Sequence, residues 1–149
     1  MSVDCSNLDI VDNCRYYFND LGVAGDFLKL TGEPLETIEG VLCENSVYLE
    51  LMNRIRKREI AGQVPWFAID KKTSGELDFY IKSRFDSKNY GIEVKRGNET
   101  ANTANTLLER GRIDFVYNLK KTYGGIFQAK YTVPIYLCGR ISFDLGKGM

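Results

Sequence analysis

Histidine is absent from the 149 residues of this chain, and no cysteine belongs to a CxxC pair. The missing histidine excludes Ser-His-Asp and Cys-His nucleophilic mechanisms as well as histidine-ligated zinc. Disulfide scaffolds are usually shorter and richer in cysteine, so we expect reduced and mostly buried thiols at Cys5, Cys14, Cys43 and Cys138. Catalysis by this chain would have to rest on carboxylates, lysine, tyrosine, cysteine or a metal held by oxygen ligands.

The sequence also lacks an excess of either charge and any long apolar run. Its 20 basic and 20 acidic residues cancel, so the totals predict no broad nucleic-acid-binding surface, although a local basic patch is compatible with them. No apolar stretch is long enough to span a membrane. The first residues, MSVDCSNLDIVDN, have neither the basic start nor the apolar run of a signal peptide. We therefore expect a cytoplasmic protein with a single domain over residues 1–149.

Helices and strands follow one another in an order that predicts the fold class. CRYYFNDLGVAGDFLKLTGEP predicts a short strand-like piece and then a short helix. A longer helix is predicted from Ile38 to Arg58, with Gly62 as its stop. The strands predicted after it are VPWFAI, ELDFYIK, YGIEVK, IDFVYNL and TVPIYLCG, with a helix from about Thr100 to Arg110 after the third and a loop at residues 123–125 after the fourth. This order predicts an α/β or α+β fold with a mixed sheet flanked by helices.

Charged residues interrupt two of these strands. Side chains alternate along a strand, so Leu77, Phe79 and Ile81 are expected on one face. Asp78 and Tyr80 are then expected on the other face. In the next strand, Ile92 and Val94 are expected opposite Glu93 and Lys95. If the two strands pair through the turn between them, Asp78 lies beside Glu93 and Lys95.

Two adjacent carboxylates repel each other unless a cation or a proton lies between them. Mg²⁺ binds through a few carboxylates and keeps several waters, and the carbonyl of Val94 is a candidate further ligand. Such a metal polarises a phosphodiester and lowers the pKa of a bound water. Lys95 would orient that water or stabilise the charge that develops on the phosphate. The alternative is structural: Lys95 neutralises Glu93 and Asp78 on a solvated face of the sheet.

The motifs ELDFYI and IEVKRG resemble the two motif strands of the PD-(D/E)XK nuclease superfamily, and the predicted order contains its αβββαβ restriction-endonuclease-like core. The resemblance implies Mg²⁺ or Mn²⁺ as cofactor, Asp78, Glu93 and Val94 as metal ligands, and Asp78, Glu93, Lys95 and Glu44 as the catalytic set. Glu44 matches the acidic residue that the first helix of the superfamily often carries, with Glu50 as the alternative. Leu77 stands where the superfamily's name has proline.

A narrower resemblance covers most of the chain. YYFNDLG, GVLCENSVYLEL, GELDFYI, IEVKRG and VPIYL, in this order, resemble the C-terminal domain of a group of prokaryotic AAA-type ATPases. The chain has no GxxxxGK[ST] phosphate loop, so we expect an excised domain of a longer ATPase. The resemblance implies a metal-dependent nuclease, with DNA favoured over RNA. The alternative is a non-catalytic module that binds the attached ATPase, a partner protein or nucleic acid, and the balanced net charge favours it.

Basic and aromatic residues elsewhere have both a functional and a structural interpretation. Basic residues could contact phosphates, although solvated charge is the favoured interpretation at Arg54, Arg56, Lys57, Arg58, Lys120, Lys121 and Lys130. Aromatic residues could stack on bases, although a core position is favoured for Trp66, Tyr80 and Tyr90.

Overall fold

The computed structural model describes residues 15–70, 74–95 and 102–147. The helices are α1 (Leu21–Leu30), α2 (Leu35–Arg56) and α3 (Asn102–Glu109), and a 3₁₀ helix spans Ile135–Arg140. The strands are β1 (Trp66–Asp70), β2 (Gly75–Lys82), β3 (Asn89–Lys95), β4 (Phe115–Lys120), β5 (Gly125–Phe127) and β6 (Lys130–Pro134). The predictions for Cys5 and Cys14, and for the helix start at Thr100, lie outside the described residues.

The six strands form one mixed sheet in the order β1-β2-β3-β4-β6-β5. β1, β2 and β3 pair antiparallel, as expected for strands joined by short turns. β3, β4 and β6 are parallel, and β5 returns antiparallel against β6. The predicted α/β class with a mixed sheet flanked by helices is confirmed.

Both faces of the sheet are covered by apolar side chains. The larger cluster contains Val47 and Leu51 of α2, with Phe79, Ile92 and Tyr117 of the sheet. The smaller cluster, on the other face, contains Ala104 and Leu107 of α3 together with Ala68, Leu77, Ile113 and Val116. A sheet covered on both faces needs apolar residues at successive strand positions, and Tyr90–Ile92 of β3 are buried for this reason, with the charged Glu93 buried next to them.

A β-bulge in β2 interrupts the alternation of side chains that was predicted for that strand. Trp66 pairs with Tyr80 and Ala68 with Leu77, so two steps along β1 oppose three along β2. An extra residue reverses the alternation that follows it. Leu77 and Tyr80 therefore pack in the smaller cluster, and Phe79 packs in the larger one. The prediction that Leu77 shares a face with Phe79 and Ile81 is wrong.

Several predicted boundaries also differ from the structure. α2 begins at Leu35 and ends at Arg56, and the chain turns at Arg58, whose φ is 62°, before it reaches Gly62. Residues 15–20 form no strand. The predicted strand TVPIYLCG ends at Pro134 and continues as the 3₁₀ helix. β5 was not predicted; it begins at Gly125 of the predicted loop, and its three residues are exposed.

Two further predictions concern the cysteines and the membrane. Cys43 and Cys138 are free thiols, as expected of reduced cysteines, but both are half-buried where buried thiols were expected. Within residues 15–70, 74–95 and 102–147, no helix combines the length and apolarity that a membrane crossing requires.

Candidate functional site

Asp78 lies where the pairing of β2 with β3 ends. The paired residues run from Lys82 and Asn89 to Phe79 and Ile92. One residue further along β2, a side chain takes the place of a backbone carbonyl as the partner of β3. Oδ2 of Asp78 accepts the backbone N–H of Val94 at 2.8 Å. The bulge beside Asp78 is the device that turns this side chain towards β3. Asp78 therefore lies beside β3, as the sequence predicted, but the bulge next to it was not predicted.

Glu93 and Lys95 project from β3 on the same side of the sheet, two residues apart. Lys95 Nζ lies 3.2 Å from Glu93 Oε2. The Glu93 side chain is only 2% exposed, and that of Lys95 is 26% exposed. A buried carboxylate with a partly exposed ammonium partner is not a solvated surface pair, so the alternative of a solvated face does not describe Glu93.

Arg15 joins the acidic side chains of two elements. Its guanidinium lies 3.2 Å from Glu44 Oε1, 2.6 Å from Glu76 Oε2 and 3.7 Å from Asp78 Oδ1. It also donates to the backbone carbonyl of Asp78 at 3.4 Å and stacks over the ring of Phe67. An arginine that contacts three carboxylates occupies a position of strongly negative potential. The sequence analysis missed Arg15 and Glu76, and their separation of 61 residues left no local signal.

The segment that carries Arg15 is fixed to α2. The buried side chain of Asn45 accepts the N–H of Phe18 at 2.7 Å and donates to its carbonyl at 2.8 Å. The Tyr17 hydroxyl donates to Glu44 Oε1 at 2.7 Å, and its ring stacks on that of Tyr48. Burial and the hydrogen bond to Glu44 raise the pKa of Tyr17, so the phenol stays protonated at neutral pH. Glu44 is therefore held towards Arg15 and Asp78.

Of the two candidates on the helix, Glu44 lies at the site and Glu50 does not. Glu44 shares Arg15 with Asp78, and it lies in the middle of α2 because that helix begins at Leu35. Glu50 pairs instead with Arg54 at 2.7 Å. An open cleft of ≈ 360 Å³ lies beside the Glu44 side of the site, lined in part by Arg15, Tyr17 and Glu76.

Burial and neighbouring charges perturb the pKa values of the two strand carboxylates. Burial raises the pKa of Glu93 from its ordinary 4.5 to about 7, and the charge of Asp78 adds to the rise, whereas Lys95 and Arg15 oppose it. Burial also raises the pKa of Asp78, the N–H of Val94 lowers it, and Glu44 raises it again. The charge of Asp78 thus makes the ionisation of Glu93 harder, and Glu44 does the same to Asp78. Crowded carboxylates of this kind are the condition that a bound cation relieves.

The donor chemistry of Asp78 and Glu93 suits Mg²⁺ or Mn²⁺, both of which accept carboxylate oxygens. In the part of the chain that the structure describes, no group of three or more His, Cys, Asp or Glu side chains is arranged to hold a metal ion. Mg²⁺ is usually held by one or two carboxylates, with waters and substrate phosphates completing its coordination. The pair Asp78 and Glu93 fits that requirement, and a role for the carbonyl of Val94 stays a prediction.

The aromatic residues proposed as base-stacking candidates take part in packing. Trp66 stacks on Tyr80 with ring centroids 6.2 Å apart. Tyr90 is fully buried and contacts the rings of Phe115, Tyr117 and Phe143. The core interpretation therefore holds for Tyr90.

No family model, curated protein or solved structure matches the chain. A mixed α/β fold hosts many unrelated activities.

Proposed function

We propose that the chain is a metal-dependent nuclease domain of the PD-(D/E)XK type, which hydrolyses phosphodiester bonds of nucleic acid, with DNA favoured. The observation that supports it is the convergence of Asp78, Glu93 and Lys95 where β2 and β3 stop pairing. Glu93 is buried and its pKa is raised to about 7 beside Asp78. Perturbed carboxylates with a nearby lysine are typical of catalytic sites.

Each side chain has a role that its position allows. Asp78 and Glu93 would hold Mg²⁺ or Mn²⁺, and Glu44 would add a carboxylate directly or through water. When bound, the ion supplies a Lewis acid for the phosphodiester and lowers the pKa of the attacking water. Lys95 places an ammonium 3.2 Å from Glu93. There it stabilises the negative charge that develops on the phosphate oxygens as water attacks phosphorus and the P–O bond breaks.

A cleavage assay tests this proposal. Labelled single-stranded, duplex and branched DNA, and single-stranded RNA, are incubated with the chain in Mg²⁺ or Mn²⁺. We expect cutting that EDTA abolishes and that Lys95→Ala reduces by at least about a hundredfold, the range typical for one charged donor at a transition state. Lys82→Ala, an exposed lysine at the end of β2, is the matched control and should cut normally. Equal activity in Lys95→Ala and the parent chain would reject the mechanism.

A second candidate function is a nuclease-like module without catalysis, which binds an attached AAA-type ATPase, a partner protein or nucleic acid. The ion pairs of Arg15 favour it, because they neutralise Glu44 and Asp78 within the chain itself. If well-folded protein binds no Mn²⁺ at millimolar concentration and cuts none of the substrates, this function replaces the first.

A further inference from the structure

A second open cleft, of ≈ 650 Å³, lies where β4 and β6 end. Residues 121–124, which follow β4, line it together with Pro134 and Tyr136. Pro134 is the last residue of β6, and Tyr136 belongs to the 3₁₀ helix that follows. Because β4 and β6 are parallel, the cleft is formed at the carboxyl ends of two neighbouring strands. We refer to it as the tyrosine cleft, after Tyr123 and Tyr136.

The register of the sheet connects the tyrosine cleft with the proposed catalytic site. Lys95 of β3 pairs with Lys120 of β4, and Lys120 pairs with Pro134 of β6. Paired residues of neighbouring strands lie on the same face, and neighbouring strands are about 4.8 Å apart. Pro134 therefore lies in the row of Lys95, two strands and about 10 Å away. A nucleic-acid strand that lies on Lys95 and crosses the ends of β4 and β6 reaches the cleft.

The two tyrosines of the cleft take little part in packing. Tyr123 is 95% exposed and Tyr136 is 82% exposed. A Cβ added at Gly124 would lie 3.2 Å from the backbone oxygen of Thr132, so the loop that carries Tyr123 packs directly on β6. Single exposed apolar residues are common on protein surfaces. Two exposed aromatic rings at one cleft, however, provide a surface on which a planar group can stack.

The charge of the cleft lining favours a planar group over an isolated anion. Lys121 lines the cleft, but its Nζ lies 2.9 Å from Oε2 of Glu39 in α2. Within the described part of the chain, the other lining residues carry no charge. A nucleobase is the planar and uncharged part of a nucleic acid, and its faces stack on aromatic side chains whatever the sequence.

We propose that Tyr123 and Tyr136 form a stacking subsite for an unpaired nucleobase of the substrate. The base stacks on the tyrosine rings while the backbone of the same strand crosses the ends of β3 and β4. A base inside a duplex is already stacked and paired, and its extrusion costs free energy. The subsite therefore selects single-stranded nucleic acid over duplex. It rests on the proposed nuclease function and deepens it, since it names the class of substrate.

Binding without cleavage tests the subsite. Fluorescence anisotropy in EDTA compares three end-labelled probes: a single-stranded thymine oligonucleotide, a duplex, and an abasic oligonucleotide with as many phosphates as the thymine strand. The parent chain should bind the thymine oligonucleotide most tightly. Tyr123→Ala and Tyr136→Ala should each weaken that binding by about fivefold or more, the scale of one lost stack between base and ring. Neither variant should change the affinity for the abasic oligonucleotide, which has no base to stack.

Two control variants separate stacking from a general effect of substitution. Tyr123→Phe keeps the aromatic ring and should retain the affinity of the parent chain. Phe85→Ala removes a ring that is 44% exposed in the turn between β2 and β3, at the opposite end of β3 from Lys95. It should bind all three probes as the parent chain does. The alanine variants at the cleft should keep the parent melting temperature, because the rings that they remove are exposed.

The outcomes separate this subsite from the nuclease function. If the parent chain cuts, but Tyr123→Ala and Tyr136→Ala bind the thymine oligonucleotide as the parent does, the subsite is wrong and the nuclease function stands. If binding depends on both tyrosines but no substrate is cut, the stacking site stands and the catalytic function falls. A parent chain that neither binds nor cuts overturns both. A parent dimer that Tyr123→Ala dissociates in sedimentation velocity would assign the tyrosines to an interface between copies and overturn the subsite.

Discussion

Glu93 carries an ionisable carboxyl group in a buried position, where a charge is costly. Its side chain is 2% exposed, and burial with the neighbouring Asp78 raises its pKa to about 7. Because the pKa in the folded state exceeds the ordinary 4.5, the folded chain binds the proton more tightly than the unfolded chain. The contribution of Glu93 to stability therefore falls as pH rises from about 4.5 to 7, and the full penalty for its charge is present above pH 7.

Glu93→Gln should remove that penalty. Without metal, we expect the free energy of unfolding to rise at pH 8, by at most about 3 kcal/mol for a shift of this size, and to change little at pH 4.5. Urea unfolding at both pH values measures the difference. Glu109→Gln, an exposed glutamate at the end of α3, is the control and should show no pH-dependent gain. A gain for Glu93→Gln that is equal at both pH values would contradict the assignment.

Arg15 pairs with three acidic side chains around the site, those of Glu44, Glu76 and Asp78. Its guanidinium lies 3.2 Å from Glu44 and 3.7 Å from Asp78. If Asp78 and Glu44 also take part in metal binding, arginine and metal compete for the same carboxylates. Two ligands that compete in this way must each lower the affinity for the other by the same factor.

Arg15→Gln should therefore bind Mn²⁺ more tightly, by about fivefold or more, the usual range of such coupling. Free Mn²⁺ counted by electron paramagnetic resonance gives the affinity without reference to activity. Arg54→Gln is a matched control, because Arg54 also bridges two glutamates, Glu50 and Glu59, away from Asp78. Affinity that rises equally in both variants would show a general charge effect and contradict competition at the site.

At the scale of the element, β3 depends on a close approach at Gly91. A Cβ added there would lie 2.6 Å from Cδ1 of Ile113 and 3.4 Å from the methyl groups of Leu77. Both neighbours are buried in the smaller cluster and have little room to move. Glycine at this position lets the segment before β4 pack closely on β3, two residues before Glu93.

Gly91→Ala should therefore lower the free energy of unfolding by about 1–3 kcal/mol, the usual cost of overpacking a core. Thermal or urea unfolding measures it. Gly125→Ala in β5, where a Cβ meets nothing within 4 Å, should be near neutral. If the two variants are equally stable, the packing at Gly91 is looser than the structure indicates.

The bulge in β2 shows how an element can be predicted correctly and its faces wrongly. The alternation ELDFYI predicts a strand, and the strand is there. The extra residue opposite β1 is decided by the pairing of Trp66 with Tyr80 and Ala68 with Leu77. No local feature of the sequence signals that register. The orientation of Asp78, which depends on the register, is therefore not signalled either.

At the scale of the whole molecule, the site consists of groups that are distant in the chain. Arg15 and Asp78 are 63 residues apart, and Arg15 and Glu44 are 29 apart. Pro134 at the tyrosine cleft reaches the row of Lys95 only because β4 pairs with β3, and β6 with β4, in one particular parallel register each. A shift of one residue in the register of β6 would exchange Pro134 for Val133 or Ile135 in that row.

The sequence by itself determined the class of the fold, the positions of β2, β3 and α2, and the pairing of Asp78 with the Glu93 and Lys95 strand. These follow from local periodicity and from a short turn, which act within a few residues. Only the tertiary structure decided the bulge at Asp78, the ion pairs of Arg15 and the place of Pro134 in the row of Lys95. These depend on strand register and on contacts across long stretches of chain, which the packing of the whole core selects and no local pattern records.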